Sequence, residues 1–242
     1  MYARPEIDGA PVTFGVSGML WRDSLIMFDR ATRSLWSQVK GEAVAGPREG
    51  HALVEVPSEQ TTWGDWKRRH PDTLVLVRPE GVSGTNYADY HQDRRRIGVL
   101  GSRNPDDRLP GKALVYGIEQ AGESAAVPFS VLDEQPVVNT HALGKPVVVF
   151  SPPGERTALV FGRVVDGETL WFERVDDGSG RLTVRDRASG STWSWESGDC
   201  LQGPFEGKNL ARVPGTAVYW GVWAQFHPDT EVVREASEPA DR

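Results

Sequence analysis

Short apolar runs separated by glycine, proline, aspartate and serine make up most of the chain. Examples are PVTFGV (11–16), SLIMFDR (24–30), TLVLV (73–77), KPVVVF (145–150) and TLWFERV (169–175). Runs of this length, rich in β-branched and aromatic residues and bounded by turn formers, predict β-strands. Their spacing is typical of an antiparallel sandwich or barrel. The sequence therefore predicts a mainly β fold.

One long segment of the chain occurs twice. Residues 29–73 match residues 186–230 at a constant spacing of 157 positions, without an insertion. The matched residues include Asp29 with Asp186, Trp36 with Trp193, and the sequence His-Pro-Asp-Thr at 70–73 with the same sequence at 227–230. Rare residues shared at one spacing predict two copies of one supersecondary unit. The fold class that we expect is an antiparallel barrel or sandwich built from two related β-rich repeats, each with one short helix.

The repeat also predicts how the chain is divided. We expect a first, front-truncated β repeat over 1–78, a linker or covering loop over 79–111, a second β repeat over 112–235 and a tail over 236–242. A single pseudo-symmetric domain is the alternative. Within the repeats, helices are predicted near 62–69 and 217–226, where tryptophans three residues apart lie on one helical face. We predict that this face packs against the sheet in each copy.

The hairpin at residues 24–39 differs from its counterpart at 181–196 on one face only. If Phe28 pairs with Leu35, alternation of side chains separates two faces. One face holds Leu25, Met27, Trp36 and Gln38, and the other holds Ile26, Phe28, Leu35, Ser37 and Val39. The first face is apolar in both copies and is predicted to be core. The second is apolar in this copy alone, so it needs a cover: the linker, the other half, a second subunit or a ligand.

Composition limits the function classes. No apolar run among the 242 residues approaches the length of about 20 that a membrane span requires, so no membrane contact is expected. The first residues have no apolar signal region, and the expected compartment is the cytoplasm. A net charge of −7 makes a nucleic-acid partner unexpected. The single cysteine, Cys200, excludes an intramolecular disulfide. No cofactor motif and no metal-ligand spacing is present, so neither is predicted.

Positions at which the two copies differ are the candidates for function. The predicted loop tip Trp21, Arg22 and Asp23 stands where the second copy has Gly178, Ser179 and Gly180. The predicted catalytic residues are Asp23, Arg22 and Tyr90, the last of these in the unrepeated linker. The predicted substrate-binding residues are Trp21, Ile26, Phe28, Trp36, Tyr87 and His91.

Several segments resemble a bacterial family known as domain of unknown function 3179. They are TFGVSG (13–18), DRATRSLWSQ (29–38), GEAVAGP (41–47), WGDWKRRHPDT (63–73) and VVNTHALGKPVVVF (137–150). Family members typically carry a Cys-Pro-Leu-Cys stretch shortly before the first of these segments. This sequence has no such stretch, and the corresponding place in its second half, SPPGERT (151–157), has no cysteine. The resemblance implies no particular activity.

The leading hypothesis is a cofactor-free enzyme that binds a hydrophobic small molecule in a β-barrel cavity. Such a site would accelerate a cyclisation or rearrangement of secondary metabolism by holding a near-attack conformation. Asp23, with Arg22 or Tyr90, would polarise a carbonyl or shuttle a proton. One alternative is a non-catalytic ligand-binding or interaction module, in which the apolar hairpin face forms a homodimer. Another is a metalloprotein assembled from His70, His91 or His227.

Overall fold

The computed structural model describes residues 1–77, 87–94, 96–98, 102–120 and 122–234. The predicted tail at 236–242 and the linker residues 79–86 lie outside the described residues. The strands are β1 (Glu6–Ile7), β2 (Ala10–Pro11), β3 (Phe14–Trp21), β4 (Ser24–Asp29), β5 (Leu35–Ser37), β6 (Glu42–Ala45), β7 (Leu114–Gln120), β8 (Glu123–Pro128), β9 (Val137–Ala142), β10 (Lys145–Phe150), β11 (Leu159–Gly162), β12 (Val164–Val165), β13 (Glu168–Thr169), β14 (Phe172–Val175), β15 (Thr183–Asp186), β16 (Thr192–Trp193), β17 (Cys200–Gln202), β18 (Arg212–Val213), β19 (Thr216–Tyr219) and β20 (Glu231–Val232). The helices are α1 (Trp63–Arg69), α2 (Ala88–Gln92), α3 (Phe129–Glu134) and α4 (Trp220–Phe226).

Four open sheets of four strands each carry the fold. The first outer sheet has the order β3-β4-β5-β6, and the second outer sheet has the order β14-β15-β16-β17. Between them lie the β7 sheet, with the order β19-β7-β8-β20, and the β10 sheet, with the order β18-β11-β10-β9. Neighbouring strands are antiparallel, except that β20 joins β8 in parallel. The mainly β prediction is confirmed.

The barrel prediction is wrong for the described part of the chain. Each four-stranded sheet ends in two different edge strands that are not hydrogen-bonded to each other, so none of these sheets closes. Closure around a core filled by side chains takes about eight strands, twice the number in any one of these sheets. Apolar surface is buried instead by stacking the sheets face to face.

The β10 sheet is buried on both of its faces, which explains its continuous apolar sequence. Val147 and Val149 of β10 face a core shared with the β7 sheet. Val148 and Phe150 face a second core, shared with the second outer sheet. Successive side chains of a strand point to opposite faces, so a strand between two layers needs apolar residues at every position. The four buried residues VVVF at 147–150 meet this requirement.

The first hairpin has the register expected from its sequence. Phe28 of β4 pairs with Leu35 of β5, and Met27 pairs with Trp36. The buried carboxylate of Asp29 stabilises the turn between β4 and β5. It accepts hydrogen bonds from the Thr32 amide at 2.7 Å and the Trp36 indole at 3.1 Å. Arg48 forms an ion pair with the same carboxylate at 3.2 Å. Burial opposes ionisation of Asp29, but these hydrogen bonds and the arginine outweigh it and lower the pKa to about 2.

The second hairpin has a turn of the same geometry. The Asp186 carboxylate accepts hydrogen bonds from the Ser189 amide at 2.6 Å and from the Trp193 indole at 2.9 Å. The position that corresponds to Arg48 is occupied by Phe205, so this turn has no arginine at that place. Both turns are therefore stabilised in the same way by an aspartate, a hydroxyl residue and a tryptophan. The turn at Asp29 has in addition the ion pair with Arg48.

Helices α1 and α4 form where they were predicted, but they are buried to different extents. Trp220 and Trp223 of α4 are core residues of the β7 sheet, as predicted. None of the seven described residues of α1 is buried, and Trp63 is 53% exposed, so the packing predicted for α1 is wrong. The run at 73–77, predicted as a strand, forms none and is exposed, because no neighbouring strand lies beside it in the described structure. The longest described helices have seven residues, too few to cross a bilayer.

Candidate functional site

A cleft of about 1070 Å³ separates the first outer sheet from the β7 sheet. One wall is formed by the inner face of the first hairpin, and the other by β19 and α4. The apolar residues of these two walls include Phe14, Leu25, Met27, Ala217, Val218, Val222 and Trp223. The face predicted to be core therefore borders a cavity of the size that small ligands occupy.

The matching face of the second hairpin is filled. Leu182 and Val184, which correspond to Leu25 and Met27, belong to one tightly packed core with residues of the β10 sheet. The largest of these partners are Phe150 and Phe161, both fully buried. The cleft beside the first outer sheet is lined by the aromatic residues Tyr2 and Trp223 and still keeps its open volume. The face of Leu182 and Val184 is therefore packed, whereas the face of Leu25 and Met27 is left open.

Three glutamates give the cleft an acidic end. Glu42, Glu55 and Glu119 all line it, and Lys40 lies 2.5 Å from Glu42. Burial raises the pKa of Glu55. Burial, together with the charges of Glu55 and Glu42, raises the pKa of Glu119. Part of the shift at Glu119 comes from the charge of Glu55, so the two carboxyl groups lie near each other.

A buried imidazole lies beside Glu119. His227 stacks on Trp223 with ring centroids 3.9 Å apart, and its Nε2 lies 3.8 Å from Glu119 Oε2. Nε2 is buried without a hydrogen-bond partner among the described residues. Burial lowers the pKa of His227 to about 4, and the charge of Lys40 adds to this effect. His227 is therefore neutral at pH 7 and does not neutralise the glutamate.

The predicted loop tip borders the cleft. Trp21 pairs with Ser24, and the two residues between them, Arg22 and Asp23, both have positive φ, which is the two-residue type I′ turn of a tight hairpin. Asp23 lines the cleft and accepts a hydrogen bond from the Ser102 hydroxyl. Trp21 and Arg22 point away from it, towards the last turn of α4. Trp21 packs edge-on against Phe226, and Arg22 donates to the Gln225 carbonyl.

The linker brings Tyr90 close to this loop. The Tyr90 hydroxyl accepts a hydrogen bond from the Gly98 amide at 3.1 Å, and Gly98 in turn packs directly against Asp23. The Lys112 ammonium lies 3.4 Å from the centroid of the Tyr90 ring, and burial lowers the pKa of this lysine. His91 Nδ1 lies 2.8 Å from the Tyr219 hydroxyl. The structure thus links the predicted residues Asp23 and Tyr90 through one glycine.

A known protein family matches almost the whole chain, including the residues of the cleft. A family described as protein of unknown function (DUF3179) matches residues 1–230. The chain belongs to this family. The resemblance of its sequence segments is thereby confirmed, and both walls of the cleft lie within the matched residues of this DUF3179 protein. Neither the curated proteins nor the solved structures include a significant match to the chain.

In addition to Trp21 and Arg22, four predicted site residues lie away from the cleft of this DUF3179 protein. Ile26 is 4% exposed and lies on the opposite face of β4. Phe28 packs on Gly15 and is covered by the Arg33 guanidinium, 4.1 Å from the ring centroid. Trp36 is fully buried, where it donates to the turn aspartate. Tyr87 is exposed at the start of α2. On the apolar outer face, Phe28 is therefore covered by the chain's own residues.

Sequence reasoning missed the acidic residues of the cleft. The strand LVYGIEQ (114–120) begins apolar on both faces and ends in a glutamate on the face that carries Val115 and Gly117. That change from apolar to acidic along one face is the signal that marks Glu119. Glu55 gives no comparable signal, because it lies in a segment that only the tertiary structure brings to the cleft.

The three histidines of the metal hypothesis are separated. His70 stacks on Trp66 and His227 on Trp223, whereas His91 contacts Tyr219. Throughout the described ranges, no group of three His, Cys, Asp or Glu side chains has the proximity that metal binding requires. The described residues thus provide no ready set of metal ligands.

Proposed function

We propose that this protein is a cofactor-free enzyme that binds a hydrophobic small molecule in the cleft between the first outer sheet and the β7 sheet. The observation that carries the proposal is the open face of Leu25 and Met27, since the matching face of the second copy is solid core. An apolar wall that the protein leaves unfilled stabilises nothing by itself, and a ligand that covers it gains the burial.

The proposal includes the relation between the two halves. We infer that they are two copies of one unit, which is supported by hydrogen bonds at positions 157 apart. The Trp66 indole donates to Thr73 at 3.1 Å, and the Trp223 indole donates to Thr230 at 3.0 Å. The turns at Asp29 and Asp186 repeat in the same way. The second copy then serves as the packed reference for the open first copy.

The acidic end of the cleft sets the expected chemistry. Glu55 and Glu119, with raised pKa values, are suited to give and take a proton, and we assign them as the acid–base pair. Because His227 is neutral, an amine or hydroxyl group of the ligand is the favoured partner for Glu119. The apolar walls would hold the rest of the molecule folded for a cyclisation or rearrangement. Asp23 and Tyr90 lie at the loop end of the same cleft or next to it.

Binding is tested with the apolar fluorescent amine N-phenyl-1-naphthylamine. We expect saturable binding to the wild-type protein and a loss of at least about tenfold in affinity for Leu25→Trp, which fills the cleft. The matched control is Phe28→Ala on the opposite face of the same strand, where affinity is expected to stay unchanged. Absence of saturable binding, or equal binding by Leu25→Trp, contradicts the proposal.

Catalysis is tested on compounds that bind. A library of apolar amines and alcohols is screened by the rise in melting temperature, and the hits are incubated with the protein and followed by mass spectrometry. Glu119→Gln is expected to retain binding and to lose turnover, because the amide keeps the shape of the side chain without its proton chemistry. A hit that is converted equally fast by Glu119→Gln rules out the assigned acid–base role.

A further inference from the structure

Arg163 carries a buried positive charge that has no carboxylate partner among the described residues. It lies between β11 and β12, and its side chain is fully buried. Burial lowers the pKa of the guanidinium, and no charged neighbour in the described part of the chain contributes to this shift. An arginine nevertheless stays protonated at neutral pH. An unpaired buried charge destabilises a fold, so proteins normally pair such a group.

Another arginine of the chain shows how a less exposed guanidinium is normally satisfied. Arg69 donates to both carboxylate oxygens of Glu59, at 2.9 and 3.3 Å. Arg163 is more deeply buried than Arg69, yet within the described ranges it donates only from Nη1, to the Leu170 carbonyl at 2.9 Å. Its charge is therefore met by one neutral acceptor.

The two remaining nitrogens of Arg163 share one edge of the guanidinium. Nε and Nη2 are both buried, and neither has a hydrogen-bond acceptor among the described residues. Their N–H bonds lie in one plane and point the same way. This edge of an arginine binds two oxygens of a carboxylate or another oxyanion side by side. The unsatisfied donors therefore form one complete binding edge for an oxyanion.

This edge lies at the base of a small hairpin. Strands β12 and β13 have two residues each and, as far as the structure describes the chain, pair only with each other. Their turn is formed by Asp166 and Gly167, both with positive φ. The base is closed by the Leu170 amide, which donates to the Arg163 carbonyl at 2.8 Å. A two-stranded hairpin is marginally stable by itself, so local opening gives a small ion access while the four-stranded sheets stay intact.

We propose that the Nε–Nη2 edge of Arg163 binds a small oxyanion, two oxygens of which accept hydrogen bonds from the two nitrogens. Small carboxylates and inorganic oxyanions such as phosphate share this paired-oxygen geometry. Trp171 borders the guanidinium, with its ring centroid 5.5 Å from the Arg163 guanidinium carbon. Neither residue lines the cleft described above, so the anion site does not depend on the proposed catalytic function.

The Nε–H resonance of Arg163 reports on this site directly. Protein with isotope-labelled arginine is titrated with sodium formate and, separately, with sodium phosphate, with sodium chloride keeping the ionic strength constant. Arg163→Lys identifies the resonance by its loss. We expect the resonance to move downfield and to saturate, because a charged acceptor strengthens the hydrogen bond. Saturation at lower concentration by formate assigns the site to carboxylates, and by phosphate to inorganic oxyanions.

Thermal melting measures the same binding independently. At about 100 times its dissociation constant, the preferred anion should raise the melting temperature of the wild type by at least about 5 °C relative to chloride. Arg163→Met should lose this rise. Methionine fills the volume of the arginine stem without a charge, so the fold is retained, and circular dichroism checks this. Arg187→Met is the matched control, because Arg187 contacts the same Trp171 ring but is exposed and paired with Glu173 at 3.1 Å.

Three results overturn the proposal. The first is an Arg163 resonance that neither anion shifts up to about 0.1 M. The second is equal stabilisation of the wild type and Arg163→Met by the anion. The third is a resonance that is already downfield without added anion and does not respond to it, which assigns the edge to a carboxylate of this chain. If Arg163→Met does not fold, the wild-type resonance decides alone.

Discussion

The buried imidazole of His227 predicts an acid-sensitive stability that a single substitution removes. The unfolded chain binds a proton at His227 with a pKa of 6.5, whereas burial lowers the folded value to about 4. Because the folded pKa lies below the unfolded one, the unfolded state holds more protons between these two values. The stability present above pH 6.5 is therefore lost as the pH falls towards 4.

The size of the effect follows from the two pKa values. The complete shift corresponds to about 3 kcal/mol, and about 2 kcal/mol of this is already lost at pH 5. His227→Phe keeps a ring on Trp223 and cannot titrate. We expect its free energy of unfolding, from urea titrations followed by tryptophan fluorescence, to fall about 2 kcal/mol less than that of the wild type between pH 7 and pH 5. The raised pKa values of Glu55 and Glu119 act in the opposite direction in both proteins.

His70 provides the matched control for this experiment. It stacks on Trp66 as His227 stacks on Trp223, but it is exposed to solvent. His70→Phe therefore makes the same change of side chain at an exposed position. A direct titration by nuclear magnetic resonance should place the midpoint of His227 well below that of a free histidine. A midpoint near 6.5, or equal pH dependence in the wild type and His227→Phe, would refute the reasoning.

Two further comparisons use the paired positions of the fold. Asp29→Asn should lower the free energy of unfolding by about 3 to 4 kcal/mol, because the buried arginine loses its partner. Asp186→Asn, with hydrogen bonds but no arginine at that turn, should cost about 1 to 2 kcal/mol. Equal losses in urea denaturation would count against a role for the ion pair. Gly117→Ala should cost about 1 to 3 kcal/mol by crowding the indole above it, while Gly162→Ala, with 3.8 Å to its nearest neighbour, should change little. A smaller loss of unfolding free energy for Gly117→Ala than for Gly162→Ala would show that the Trp223 indole moves to make room for the added methyl group.

Local features of the fold were readable from the sequence because they depend on neighbouring residues. Alternation and turn chemistry gave the pairing of Phe28 with Leu35, and the tryptophan spacing with the following proline gave α1 and α4. The arrangement of the layers was not readable, because which face of which sheet meets another depends on contacts across the whole chain. The barrel prediction failed for this reason: strand spacing is the same in closed and stacked sheets.

The candidate site was predicted in part. The loop tip at Asp23 and the linker residue Tyr90 do come together in the structure. Both were selected because they lie at positions that the two halves of the sequence do not share. Ile26 and Phe28 were assigned to a cavity on the ground that an apolar outer face needs a cover. The side chains of Arg30 and Arg33 cover Phe28. A hydrophobicity pattern counts arginine as polar and therefore does not predict that its aliphatic stem can cover an apolar ring. Glu55 and Glu119 belong to segments remote in sequence, so their proximity required the tertiary structure.

The unfilled space behind Leu25 and Met27 has a consequence for how this protein can change over generations. Substitutions at Leu182 or Val184 disturb a close-packed interior and are selected against through stability. Those at Leu25 and Met27 alter the shape of a cleft while the second copy continues to hold the molecule together. Under the proposed relation of the two halves, duplication would separate the demand for a stable interior from the freedom to explore new ligands. We expect related proteins to differ in ligand preference mainly through this one wall.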